Sequence, residues 1–92
     1  MTTRAAHLDP VDARVLVAIA LHWRDHDEGP AWHVLARASG WREPIEVCER
    51  LWRLRNSSLV SFTSERRSIR LQPGALALAL ERLQMREDER VA

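Results

Sequence analysis

The chain has 92 residues, 46% of them hydrophobic and 29% charged; this fills one modest core and excludes both two independent domains and a disordered polar chain. Its 14 basic and 13 acidic residues leave a formal net charge of +1, so no global field draws it to nucleic acid or a membrane, and any such attraction is local. The single cysteine, Cys48, excludes an internal disulfide and a cysteine-built zinc site, and reads as a small apolar residue in a reducing cytoplasm.

Residues 1–7 are expected to be flexible, and no signal-peptide core follows them. The first helix is predicted from Leu8, Asp9 and Pro10, where Asp9 caps the free backbone N–H groups and Pro10 supplies the preset φ of a first helical position. Asp12 adds an acid where the helix dipole favours one. Val15, Leu16, Ile19, Ala20 and Trp23 form a broad apolar stripe, with Val17 and Leu21 on a further side. Such a helix is either central to the core or shares a face with a second subunit. Its apolar run, residues 15–21, is far short of the ~18–20 residues of a spanning helix, so no membrane association is expected. The polar stretch at 24–28 and the Gly29, Pro30 stop end it near Asp27.

Pro30 opens a shorter second helix whose inward face is Trp32, Leu35 and Ala36, and Ser39 and Gly40 end it. A turn over residues 41–44 leads to a third helix from Pro44 to about Asn56, with Val47, Leu51 and Leu54 at core spacing. Asn56, Ser57 and Ser58 break it. Residues 59–63 read as a strand, 64–67 as a polar tip and 68–71 as a half-buried return strand. Pro73 and Gly74 then start a last helix over residues 75 to about 87, with Leu76, Leu80 and Leu83 on one face, and residues 88–92 are expected to be flexible.

Taken together, Leu35, Ala36 and Gly40, then Val47, Leu51 and Leu54, a short break and Leu59, Val60 resemble the winged helix-turn-helix of MarR-like and penicillinase-repressor-like regulators. The expected architecture is mainly α with a small β-hairpin (α+β): one domain over residues 1–92, four helices plus a two-stranded wing. The turn after Gly40 is one residue longer than the common form, with Trp41 where a small aliphatic residue usually sits, and Ser57 and Ser58 replace the usual glycine before Leu59.

The resemblance implies that residues 44–56 lie in the major groove of double-stranded DNA and that the wing tip tracks the backbone. The candidate contacts are Arg42, Arg50 and Arg53 around the helix and Arg66, Arg67 and Arg70 in the wing, guanidinium groups that suit both phosphate and guanine. Glu46 can accept from cytosine N4, but with Glu43 and Glu49 it makes an acidic front that repels phosphates. That shifts the expected attraction onto the wing. Arg50 and Arg53 also stand four residues after Glu46 and Glu49, so an alternative is pairing along a solvated face.

Of the four tryptophans, Trp23 and Trp32 fall on inward faces and read as core, and Trp41 as a seal on the turn. Trp52 joins Ile45 and Cys48 in a second apolar line, which reads either as a wide core stripe or as a protein interface. His22 and His26 stand four apart without a third ligand, so no metal ion is expected, and no cofactor. No nucleophile, acid–base or phosphate-loop motif is present, so no enzyme activity is expected. The expected function is that of a cytoplasmic DNA-binding repressor or phage or plasmid accessory factor. It would form a homodimer through Val17, Leu21, Leu76, Leu80 and Leu83, whose two-fold would offer two recognition helices to successive grooves. The competing expectation is an adaptor that binds a protein partner through Ile45, Trp52 and the glutamates.

Overall fold

The computed structural model describes residues 7–39, 44–65 and 67–91. Among them four helices and two short strands follow in the order α1 (Pro10–His26), α2 (Trp32–Ser39), α3 (Pro44–Asn56), β1 (Val60–Ser61), β2 (Arg70–Leu71) and α4 (Ala75–Val91). The fold is therefore mainly helical with a small antiparallel sheet. Gly40, Trp41 and Arg42 in the predicted turn, and Arg66 at the predicted tip, lie outside the described residues.

The start of α1 is built as its sequence requires. Asp9 keeps an extended backbone while its carboxylate accepts the Val11 N–H at 2.7 Å, and Pro10 occupies the first turn. At the other end Asp27 turns left-handed with φ 55°, and its N–H donates to the Trp23 carbonyl at 2.8 Å. Val15, Leu16 and Ile19 are wholly buried. They can be, because α1 packs on α4, on α2 and on β2 at once. It is the central helix of the core.

The second helix begins at Trp32, later than the expected Pro30. Gly29 and Pro30 are buried in the linker, where the Gly29 N–H donates to the Arg67 carbonyl at 3.1 Å. That bond fixes the linker to the hairpin, and the first helical carbonyl becomes that of Ala31, which accepts from Val34 and Leu35. Trp32 is not the core residue its position suggested. At 38% exposure it stands at the surface, whereas Trp23 is partly buried against the core.

The third helix buries Val47, Leu51 and Leu54, as its spacing predicts. It ends in a Schellman turn: Ser58 is left-handed with φ 62°, Leu59 N–H donates to the Leu54 carbonyl at 2.9 Å, and Ser58 N–H to that of Arg55 at 3.0 Å. The hairpin pairs Val60 with Leu71 and Ser61 with Arg70, which is shorter than the predicted strands. Beyond Ser61 a side chain replaces the backbone ladder: Ser68 Oγ accepts from the Thr63 N–H at 2.9 Å and donates to the Thr63 carbonyl at 3.2 Å. The fourth helix continues to Val91, past the end expected at Glu87, and buries Ala75 and Ala79 against α1.

Candidate functional site

Packing α3 on α2 and β1 through Val47, Leu51 and Leu54 leaves its opposite face uncovered. Ile45, Glu46, Glu49, Trp52 and Arg53 are all exposed there, Ile45 at 64%. Ile45 and Trp52 are thus surface residues, not the wide core stripe that was one of their two readings. The hairpin stands beside this face and supplies Arg67 and Arg70.

The arginines do not point freely into solvent. Arg50 Nη1 donates to Asp12 Oδ1 at 2.7 Å, and Arg53 Nη2 reaches Asp12 Oδ2 at 3.0 Å and Oδ1 at 3.2 Å. Asp12 is buried on α1, so one carboxylate clamps α3 to α1 through two guanidinium groups. The sequence offered Glu46 and Glu49 as their partners; the geometry brings both to a helix some 40 residues earlier in the chain (38 for Arg50, 41 for Arg53). The signal was present, since Asp12 stands three, four and seven residues before Val15, Leu16 and Ile19 on the apolar stripe. An acid on a buried stripe requires a cation.

Asp9 lies 3.7 Å from Arg50. Partial burial opposes its ionisation, but the Val11 N–H and the Arg50 and Arg53 charges outweigh this and hold its carboxyl below the usual value. For Arg50, desolvation likewise works against the charge, and the hydrogen bond and field of Asp12 overcome it, raising its proton affinity.

In the hairpin, Arg67 is left-handed at φ 60° and its guanidinium is paired with Glu28 of the α1–α2 linker. Ile69 presents its carbonyl to Trp23 Nε1–H at 2.7 Å, and the Arg70 guanidinium lies 5.0 Å from the Trp23 ring centre. Gly29 sits under this segment so closely that a Cβ there would lie 2.5 Å from the Ile69 carbonyl oxygen and 2.6 Å from that of Arg67. Its role is close approach as well as helix termination.

Between the start of α2, the end of α3 and the hairpin lies an open recess of about 880 Å³. Phe62, buried, forms its floor. Trp32 and Trp52 stand across the Phe62 ring with centroids 5.8 and 5.3 Å away and interplanar angles of 84° and 78°. Arg55, which the sequence reading passed over, places its guanidinium 4.9 Å from the Trp52 ring and 5.0 Å from Phe62. The signal for Arg55 was its position three residues after Trp52 on one helix face.

Of the predicted dimer residues, Leu21, Leu76 and Leu80 are exposed, at 44%, 39% and 52%, while Val17 and Leu83 are partly buried against the core. The His22 and His26 rings lie 4.3 Å apart on α1, and no group of three or more metal-binding side chains occurs among the described residues. No described helix is long and apolar enough to cross a membrane. Comparison with known protein families and with curated proteins finds no match for this chain.

Proposed function

We propose that the chain is a winged helix-turn-helix domain that binds double-stranded DNA and regulates transcription, acting by binding rather than catalysis. The observation that carries this reading is the uncovered outer face of α3 beside the hairpin, the form in which a helix enters a major groove while a neighbouring ribbon follows the backbone. The clamped arginines are compatible with that use. A guanidinium has five donors, and Arg53 and Arg67 remain 57% and 56% exposed while paired. A side chain already held in place loses less freedom when it accepts a phosphate. Leu21 on α1 and Leu76 and Leu80 on α4 support a homodimer that would present two such faces.

The test is fluorescence anisotropy of labelled mixed-sequence duplex across a salt series. Affinity is expected to fall steeply with salt, and Arg66→Ala with Arg67→Ala to weaken binding and flatten the slope with the fold intact. Undetectable binding at low salt overturns the reading. One observation favours the adaptor alternative: Ile45 and Trp52 expose apolar surface next to Glu46 and Glu49. In that case a protein partner would be lost on Ile45→Ala and duplex DNA would not bind.

A further inference from the structure

The aromatic recess adjoins the outer face of α3, sharing Trp52 with it, and has its own chemistry. Its floor and walls are π surfaces, and its cation, Arg55, contacts only aromatic rings and has no carboxylate partner among the described residues. Arg67, paired with Glu28, and Glu65 stand along the rim. Hydroxyl groups of Thr63, Ser64 and Ser68 line the hairpin side. A volume of about 880 Å³ falls within the ~300–1,000 Å³ of small-molecule pockets.

We propose that this recess holds an unpaired nucleobase of single-stranded DNA, stacked against Trp52 and Trp32 with its phosphate on Arg55. Aromatic side chains interleaved with guanidinium groups stack bases irrespective of sequence, because every base has a π face, while the cation neutralises the chain's phosphate. Neither indole has the Phe62 ring lying flat on it, since both cross it near a right angle. Both indoles are also partly exposed, Trp52 at 47% and Trp32 at 38%. A paired base offers only its edge to a protein. The site therefore selects a frayed, looped or single-stranded segment, at a place beside the α3 face. The inference rests on nucleic acid being the partner, but on Arg55, Trp32 and Phe62, which the duplex reading does not use.

The experiment uses the full chain with three labelled probes: oligothymidylate of about 12 nucleotides, a blunt mixed-sequence duplex, and the same duplex with a single-stranded overhang. Oligothymidylate is expected to bind and to quench tryptophan emission, and the overhang to bind more tightly than the blunt duplex. Trp32 lies off α3, so Trp32→Ala should weaken oligothymidylate about tenfold, as one lost stacking partner does, and leave the blunt duplex unchanged, while Trp52→Ala should weaken oligothymidylate to a similar extent. Trp52→Phe should restore most of the loss, and Arg55→Gln should flatten the salt dependence for oligothymidylate alone. Because Trp52 is exposed, these variants are checked for native circular dichroism and melting. Absence of oligothymidylate binding at low salt overturns the proposal, as does binding that Trp52→Ala and Arg55→Gln leave unaltered. Oligothymidylate binding without duplex binding overturns the duplex reading and leaves this one standing; the converse result does the opposite.

Discussion

The Asp12 clamp makes an ordered prediction about stability. Asp12 is the buried member, with a side chain 4% exposed against 25% for Arg50 and 57% for Arg53. Replacing both arginines by alanine strands a carboxylate inside the fold, and breaking a buried pair in that way costs about 3–5 kcal/mol. Asp12→Ala instead leaves two guanidinium groups that reach water, so its cost is that of lost charge-assisted hydrogen bonds, about 1.5–3 kcal/mol. For a domain of this size that corresponds to a fall in Tm of roughly 10–20 °C. The triple alanine variant removes the stranded charge and is expected to be more stable than the double arginine variant. Urea unfolding at neutral pH, followed by tryptophan emission, measures all three. A double arginine variant as stable as the parent, or a triple variant no more stable than the double, would refute the reasoning.

Gly29→Ala is expected to destabilise by about 1–3 kcal/mol, because the new methyl meets backbone oxygen at 2.5 and 2.6 Å and neither can retreat without moving the hairpin; an unchanged melting temperature would contradict that contact. Ser58→Gly should stabilise by about 1 kcal/mol, since Ser58 holds φ 62° at the end of α3 and glycine adopts it without a Cβ penalty; thermal unfolding reads the sign. The carboxyl of Asp9 titrates lower in the folded chain than in the unfolded one, so its contribution is full above the unfolded value of about 4 and is lost as pH falls through the folded value. Asp9→Asn should therefore lower stability at pH 7 and shrink the loss between pH 5 and 2, as measured by urea midpoints at each pH. Leu80→Glu, at a site 52% exposed, should leave melting of the monomer nearly unaltered and abolish a dimer in sedimentation, whereas a dimer that survives would remove α4 from the interface.

What the sequence discloses here is governed by distance along the chain. The cap at Asp9, the limits of α3 and the buried trio Val47, Leu51 and Leu54 depend on neighbours within two helical turns, and each is legible from spacing. The break at Ser57 and Ser58 was legible as well, although its left-handed turn at Ser58 shows only in the structure. The candidate site was less readable because its partners are remote. Asp12 with Arg50 and Arg53, Glu28 with Arg67, and Trp23 with Ile69 each join segments about 40 or more residues apart, 38, 39 and 46 for the hydrogen bonds concerned, and no periodicity encodes such pairings. Trp32 was misplaced for a related reason. Its ring goes to Phe62, a partner thirty residues later in the chain that the spacing to Leu35 does not encode.

The Gly29 N–H holds the Arg67 carbonyl inside the loop that the Thr63–Ser68 latch closes, so the helix linker grips the hairpin beyond its brief ladder. The loop thus takes its position from the helix linker as well as from the ladder of Val60, Ser61, Arg70 and Leu71. Extra residues placed between Ser64 and Glu65 would therefore be absorbed beyond the latch, without loosening the helices. A longer loop at that point would still need Gly29 against the Arg67 carbonyl and the Thr63–Ser68 latch to keep its place on the helices.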